Sequence, residues 1–222
     1  LSLSMVPNVI AGGGDYDIRF AAGNPTLYAH LLPSSLPAVG PGRVSNPLPG
    51  ADFGTKVESL APANLVLGQV VAFAFQVQVD NDALANGTIV FRAGWSIETT
   101  ASDPFGYDDA YRVYAAFVDP SDSTTTEVDS DASVAYTTFV SGDEIWGVFT
   151  LSGLDPGETV VVEAWLVLDK TIAPGTSGNV HARMISANTA GGDTINTGNQ
   201  TVPMRRVSAP TATPTNTPVP PT

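Results

Sequence analysis

Apolar side chains recur along this chain with a period of two. In the clearest run, Val71, Phe73, Phe75, Val77 and Val79 alternate with Ala72, Ala74, Gln76 and Gln78. An extended chain puts successive side chains on opposite sides, so the large apolar groups share one face and that face must be buried. This predicts a strand over 70–79. Similar runs rich in Val, Phe, Tyr, Trp and Thr, each bounded by turn residues, predict strands near 55–59, 88–98, 111–118, 133–140, 145–151, 159–168, 180–186 and 194–206. The run 159–168 is long enough for a helix. Its density of Val, which loses χ1 freedom in a helix, favours a sheet.

Turn chemistry falls where this reading needs it. Asn86-Gly87, Ser141-Gly142-Asp143 and Asp155-Pro156-Gly157 each lie between two predicted strands, and Thr197-Gly198-Asn199 falls within the run 194–206. Each supplies a residue suited to positive φ or a Pro preset for a turn. Many short strands with regular turns are the pattern of an antiparallel β-sandwich, an all-β fold.

Texture divides the chain into three. Residues 1–51 are rich in Gly and Pro and read as an extended N-terminal segment lying on something else. Within it Leu1, Leu3 and Met5 alternate with Ser2 and Ser4 ahead of Val6, which makes 1–10 a free-ended candidate donor strand. Residues 52–207 hold the predicted sandwich. Residues 208–222 contain five Pro, five Thr and no charge, a composition that cannot build a core and reads as an extended Pro/Thr-rich linker.

Composition narrows the function. The chain of 222 residues has 22 Asp plus Glu against 9 Lys plus Arg, a formal net charge of −13. That balance argues against a nucleic-acid partner, whose phosphates are met by Lys and Arg. No segment approaches the roughly 18 consecutive apolar residues of a membrane span. There is no Cys, so disulfides, thiolate metal sites and a cysteine nucleophile are excluded. The Thr, Ser, Asn, Asp and Gly bias, with Lys56 and Lys170 as the two lysines, fits a secreted or cell-surface location. The first residue, Leu rather than Met, is what removal of an export signal would leave.

Candidate chemistry is sparse. His30 and His181 stand apart in regions of different texture, without the spacing of a zinc site or a nucleophilic triad. Most acidic residues fall in predicted loops, where they read as solvated surface rather than as the paired carboxylates of a glycosidase. No catalytic residue and no cofactor are expected. Calcium is the one metal candidate, at Asp119, Asp122, Glu127, Asp129 and Asp131, whose oxygens are the ligands it takes. Asp80, Asn81 and Asp82 begin like a calcium loop, but Leu84 stands where a ligand is needed. Trp95, Trp146 and Trp165 all lie in predicted strands with apolar neighbours at period two. They are expected in the core rather than on a sugar-binding platform. Asn86 and Asn199 head N-x-Thr sequons, and Thr211, Thr213, Thr215 and Thr217 are candidate O-glycosylation positions.

Three stretches carry a family resemblance. Leu65-Val66-Leu67-Gly68-Gln69-Val70-Val71-Ala72-Phe73, Leu151-Ser152-Gly153-Leu154-Asp155-Pro156-Gly157-Glu158-Thr159-Val160, and the Asn-rich run from Ala187 to Asn199 resemble strands and turns of the Ig-like β-sandwich conserved-repeat domains of bacterial and archaeal surface proteins. The resemblance implies a fold and a place and brings no catalytic residues. Residues 1–51 lie outside it.

The expected function is that of an extracellular structural protein. It would be a homopolymeric subunit of a cell-surface filament or sheath, built by β-strand complementation with Leu1, Leu3, Met5 and Val6 as subunit contacts. A surface adhesin or a carbohydrate-binding module on a Pro/Thr stalk is the alternative.

Overall fold

In the computed structural model, residues 12–27, 32–35, 56–61, 65–97, 106–119, 131–169, 181–198 and 200–204 are described. They form β1 (Tyr16–Ala22), β2 (Val70–Val79), β3 (Gly87–Ser96), β4 (Val113–Asp119), β5 (Ser133–Ser141), β6 (Glu144–Leu154), β7 (Thr159–Val167), β8 (His181–Thr189) and β9 (Thr201–Pro203). These make two antiparallel sheets, of order β1-β2-β7-β4 and β5-β6-β3-β8-β9. The molecule is the expected all-β, Ig-like antiparallel sandwich, and no helix among the described residues is long and apolar enough to cross a membrane.

Aromatic rings fill the space between the sheets. Phe75 from the four-stranded sheet meets Phe91 at 4.8 Å and Phe149 at 5.5 Å from the five-stranded one. Phe91 and Phe149 are register partners, stacked at 5.0 Å. Phe73 joins Trp95 and Tyr107 edge-on. Offset and edge-on pairs of this kind add to the area they bury. They also make the inner-face pattern of each strand specific.

The sheets differ in how they are buried. In the five-stranded sheet the outward residues of β3 and β6 are intermediate or exposed, apart from Glu144 and Gly94. In β2 and β7 nearly every residue is buried on both faces. Ala72, Ala74, Val161, Glu163 and Trp165 belong to the outer side of the four-stranded sheet and are buried there. Strands enclosed on both sides read as continuous apolar runs, which is why 159–168 resembles a helix by composition.

Both flanks of the sandwich are laced by side chains. On one, the Gln200 amide accepts the Phe20 N–H and donates to the Ile18 carbonyl at 2.7 Å, filling the outer edge of β1 as a strand peptide would. On the other, Arg112 Nη1 donates to the Thr138 carbonyl at 3.1 Å and ties the lead-in of β4 to β5.

Several expectations change. Residues 1–51 are not all an extended segment outside the sandwich: Tyr16–Ala22 is a full edge strand, paired with β2. Tyr16, Ile18 and Phe20 face the core and Asp17 and Arg19 face water, an alternation hidden between Gly- and Pro-rich flanks. The strand expected at 55–59 reduces to a bridge between Val57 and Ala22. Of the one expected over 194–206, the described residues form a strand at Thr201–Pro203, while 194–198 turn back on β8 through the bridge of Thr194 with Asn188; 199, 205 and 206 lie outside the described residues. Residues 1–10 and 208–222 lie outside the described residues.

The core makes a direct prediction. Phe149→Ala removes the ring shared by Phe75, Phe91, Trp95 and Tyr136 and should cost about 3–5 kcal/mol. Phe139→Ala, which removes a ring 43% exposed, should cost less than about 1 kcal/mol. Urea unfolding of the two variants, compared at equal m-value, checks this.

Candidate functional site: the outer face and free edge of the five-stranded sheet

The side chains that could meet a partner converge on the outer face of this sheet, at the end closed by the β5–β6 hairpin. Ser141 and Glu144 pair across a two-residue turn, and Gly142, at φ 62°, takes the central position that needs a left-handed residue. Register then sets a grid. Phe139 lies opposite Trp146, Trp146 opposite Gly94, and Gly94 opposite Arg183. One step nearer the turn, Ser141, Glu144 and Ser96 line up beside His181.

Glu144 is the hub. Its side chain is 7% exposed although it starts on the solvent side of a sheet. Arg183 grips it in a fork, Nε to Oε1 at 2.7 Å and Nη2 to Oε2 at 2.7 Å. The Trp146 indole N–H donates to Oε2 at 3.0 Å, and His181 Nε2 lies 3.2 Å from Oε1. Glycine at position 94 gives the carboxylate room to reach across β3: a Cβ there would stand a tight 3.1 Å from the carboxylate carbon. Hydrogen bonding from Arg183 outweighs burial and holds the Glu144 carboxyl below the usual carboxylate range, and the same contact raises Arg183.

His181 is fixed from the other side. Its Nδ1 lies 3.0 Å from Ser96 Oγ, and its backbone N–H donates to that oxygen at 3.1 Å. Because Nε2 faces a carboxylate, that nitrogen carries the proton, and the one Ser96 hydroxyl hydrogen has two acceptors within reach, Nδ1 of the neutral ring and the His181 carbonyl at 3.2 Å. Ser96, His181 and Glu144 are the members of an acid–base relay without its setting. The hydroxyl is held by the main chain of His181 on both sides, and the acid is committed to Arg183. The arrangement is a strut across three strands.

Beside the strut lies an aromatic pair. The Phe139 and Trp146 rings are 5.8 Å apart, tilted by 49°. Trp146 therefore departs from the expectation of a core position: it is half-buried on the outer face. Trp95 is in the core. Trp165 is buried as well, but on the outer side of the four-stranded sheet, where its indole N–H donates to Glu163.

The free edge belongs to β5, the longest edge strand among the described residues at nine. With Ser141 and Glu144 as the hydrogen-bonded closing pair, Val134, Tyr136, Thr138 and Val140 direct their N–H and C=O groups away from β6. Arg112 meets one of these, the Thr138 carbonyl. The strand has no Pro and no charged residue, the usual guards of an edge.

Other expected site residues are placed as follows. Leu1, Leu3, Met5 and Val6 lie outside the described residues, as do Asp122, Glu127, Asp129, His30, Asn199 and the tail threonines Thr211, Thr213, Thr215 and Thr217. Asp119 ends β4, and Asp131 is exposed before β5. Among the described residues no three acidic or imidazole groups gather where they could hold a metal ion. Asn86 is exposed in the turn before β3, at φ 57°, with its N–H donating to the Asp155 carboxylate at 2.9 Å. An open hollow of about 450 Å³ between Ile185 and Gly198 contains no charged side chain.

No protein-family model and no curated protein matches the chain. Solved structures overlap it loosely. A cohesin module from a Clostridium perfringens family 33 glycoside hydrolase is 9% identical, with 67% of this chain and 90% of that one covered at a TM-score of 0.36. A non-cellulosomal cohesin from the archaeon Archaeoglobus fulgidus is 13% identical over 67% and 86%, at 0.29. The T6 backbone pilin of Streptococcus pyogenes is 9% identical, with 87% of this chain but 33% of the pilin covered, at 0.32. Overlaps this loose transfer neither a site nor a partner.

The strut predicts a defined pH response. Glu144 is depressed on folding, so its contribution is complete above the unfolded carboxylate range and lost as pH falls through the lower folded value. Arg183→Met should cost about 1–2 kcal/mol at pH 7, the low side for a charged hydrogen bond because Arg183 is 40% exposed. The gap between wild type and Glu144→Gln should stay constant near neutrality and narrow in acid. Denaturant titrations from pH 7 down to pH 3 measure both.

Proposed function

We propose that this chain is a non-catalytic structural module of a secreted or cell-surface protein, and that copies join edge to edge by strand addition. The observation that carries the reading is the open edge of β5: nine residues, uncharged, without Pro, with a row of main-chain groups facing outward. An extended segment laid along it would satisfy those groups and continue the sheet.

Residues 1–10 of a second copy suit the role. They alternate Leu, Ser, Leu, Ser, Met and are long enough to match β5, and residues 1–14 carry no charge. Two molecules of net charge −13 repel, so a join between uncharged segments is the one that avoids like-charge contact. Because the space between the described strands is already filled, the added strand extends an edge rather than replacing a missing core element. A donor at one end and an acceptor at another make a heterologous contact that does not close, so the product is a filament or sheath. Localisation outside the cell is supported by the Thr- and Ser-rich composition and the Pro/Thr-rich stretch 208–222.

Sedimentation and negative-stain microscopy of the full chain test this. Deleting residues 1–10 should abolish fibres and leave the far-UV spectrum of a folded monomer. Thr138→Pro removes an outward N–H without touching the β5–β6 ladder and should do the same. Fibres that survive the deletion, or a wild-type chain that stays monomeric at high concentration, would overturn the reading.

A further inference from the structure

The outer face of the five-stranded sheet has a second property, separate from its edge. On a chain where acids outnumber bases 22 to 9, the strand positions of this sheet reverse the balance. They hold two arginines, Arg92 and Arg183, against one acid, Glu144, which is already bound by Arg183. Among the described residues, Asp143 in the hairpin turn, close enough to act on Arg183, and Asp131 ahead of β5 lie outside the strands of the sheet. Arg92 is exposed and makes no ion pair among the described residues. Its register partner on β6 is Val148, two positions from Trp146, so Arg92 is the diagonal neighbour of the indole, about 7–8 Å away across the strands.

Trp146 is presented for stacking. Its N–H is turned inward to Glu144 and therefore satisfied, which leaves a ring face to meet a partner, and Phe139 extends that surface. Glycine at position 94 leaves the sheet without a side chain between Trp146 and Arg183. The result is a tilted pair of aromatic rings with two arginines on the β3 and β8 side of it.

We infer that this face binds an anionic polysaccharide, a chain of uronic acid sugars, with a pyranose ring on Trp146 and Phe139 and its carboxylate on Arg92, with Arg183 beside it. The C–H face of a pyranose is an apolar plane that stacks on an indole, and a guanidinium is the side chain best matched to a carboxylate. Two rings make too small an apolar centre for a protein interface, which typically buries about 800 Å² per partner. They match a single sugar residue. The positive sign selects an acidic glycan over a neutral one.

Binding of hexamers of galacturonate, guluronate and glucuronate, with cellohexaose as the neutral control, tests the inference by calorimetry on the full chain. Acrylamide quenching of tryptophan fluorescence gives a second readout, since Trp146 is the one of the three indoles that solvent reaches. At least one acidic hexamer should bind, weaken as salt rises and protect Trp146 from quenching, while cellohexaose does neither. Arg92→Ser, an exposed change that leaves the fold alone, should weaken binding about tenfold, the loss of one charge-assisted contact. Trp146→Ala should weaken it at least as much, with the circular dichroism spectrum showing that the variant folds.

No binding of any acidic hexamer at millimolar concentration overturns the inference, as does binding that Arg92→Ser and Trp146→Ala leave unchanged. If Arg92→Ser abolishes self-association and leaves sugar affinity intact, the occupant is the acidic surface of another protein copy, and the inference fails. Deleting residues 1–10 should not alter sugar binding, so this result is independent of the filament.

Discussion

The contact on which the rest depends is the aromatic packing between the sheets. Phe91 and Phe149 are paired across β3 and β6 and wedged against Phe75 of the opposite sheet. In a strand, the choice of which residue points inward settles the direction of every other residue. Once Phe91, Trp95 and Phe149 are inside, Arg92, Gly94 and Trp146 are outside. A slip of one position would bury Arg92 and expose Phe91, at a cost far above anything the surface could recover. The surface grid of Phe139, Trp146, Gly94 and Arg183 is thus fixed from beneath.

The two sheets divide the labour. Enclosed on both faces, β2 and β7 supply most of the apolar burial, and their side chains are not free to contact a partner. The five-stranded sheet is enclosed on one face and can present the other. Its flanks differ too. Gln200 fills the edge of β1 with a side-chain amide, whereas among the described residues the outward main-chain groups of β5 are met by Arg112 at the Thr138 carbonyl. A sandwich that protects one edge this closely and leaves nine uncharged residues at another has an asymmetry consistent with directional association.

Much of this was legible in the sequence, for identifiable reasons. The strand at 70–79 matches the alternation of Val71, Phe73, Phe75, Val77 and Val79 to the residue, and the turns at Asn86, Gly142, Gly157 and Gly198 all take positive φ. Strand β1 went unread because composition outweighed periodicity: Tyr16, Ile18 and Phe20 alternate with charges, but inside a stretch dominated by Gly and Pro. The outer-face cluster had no local signature. Ser96 and His181 are 85 positions apart and Glu144 and Arg183 are 39 apart, and only sheet pairing brings them together. The usable hints were small ones: a glycine inside a strong strand at Gly94, an acid two residues from a Trp, and a His and Arg at period two in β8. Trp146 was assigned to the core because apolar neighbours at period two do not say which face a strand buries.

The exposed aromatic pair is held rather than left over. An indole on an open sheet face would ordinarily sample several rotamers, and a partner would have to order it at an entropic cost. Here the Trp146 N–H is tied to a carboxylate that is itself fixed by the Arg183 fork and by His181. The same Glu144 closes the β5–β6 hairpin opposite Ser141, so the residue that orients the ring also sets where the free edge begins. Glycine at position 94 gives this arrangement its room, since a Cβ there would stand 3.1 Å from the carboxylate carbon and crowd the Glu144 carboxylate against its partners. The surface is therefore ordered before any partner arrives, and a partner that uses it gains contacts without having to assemble them.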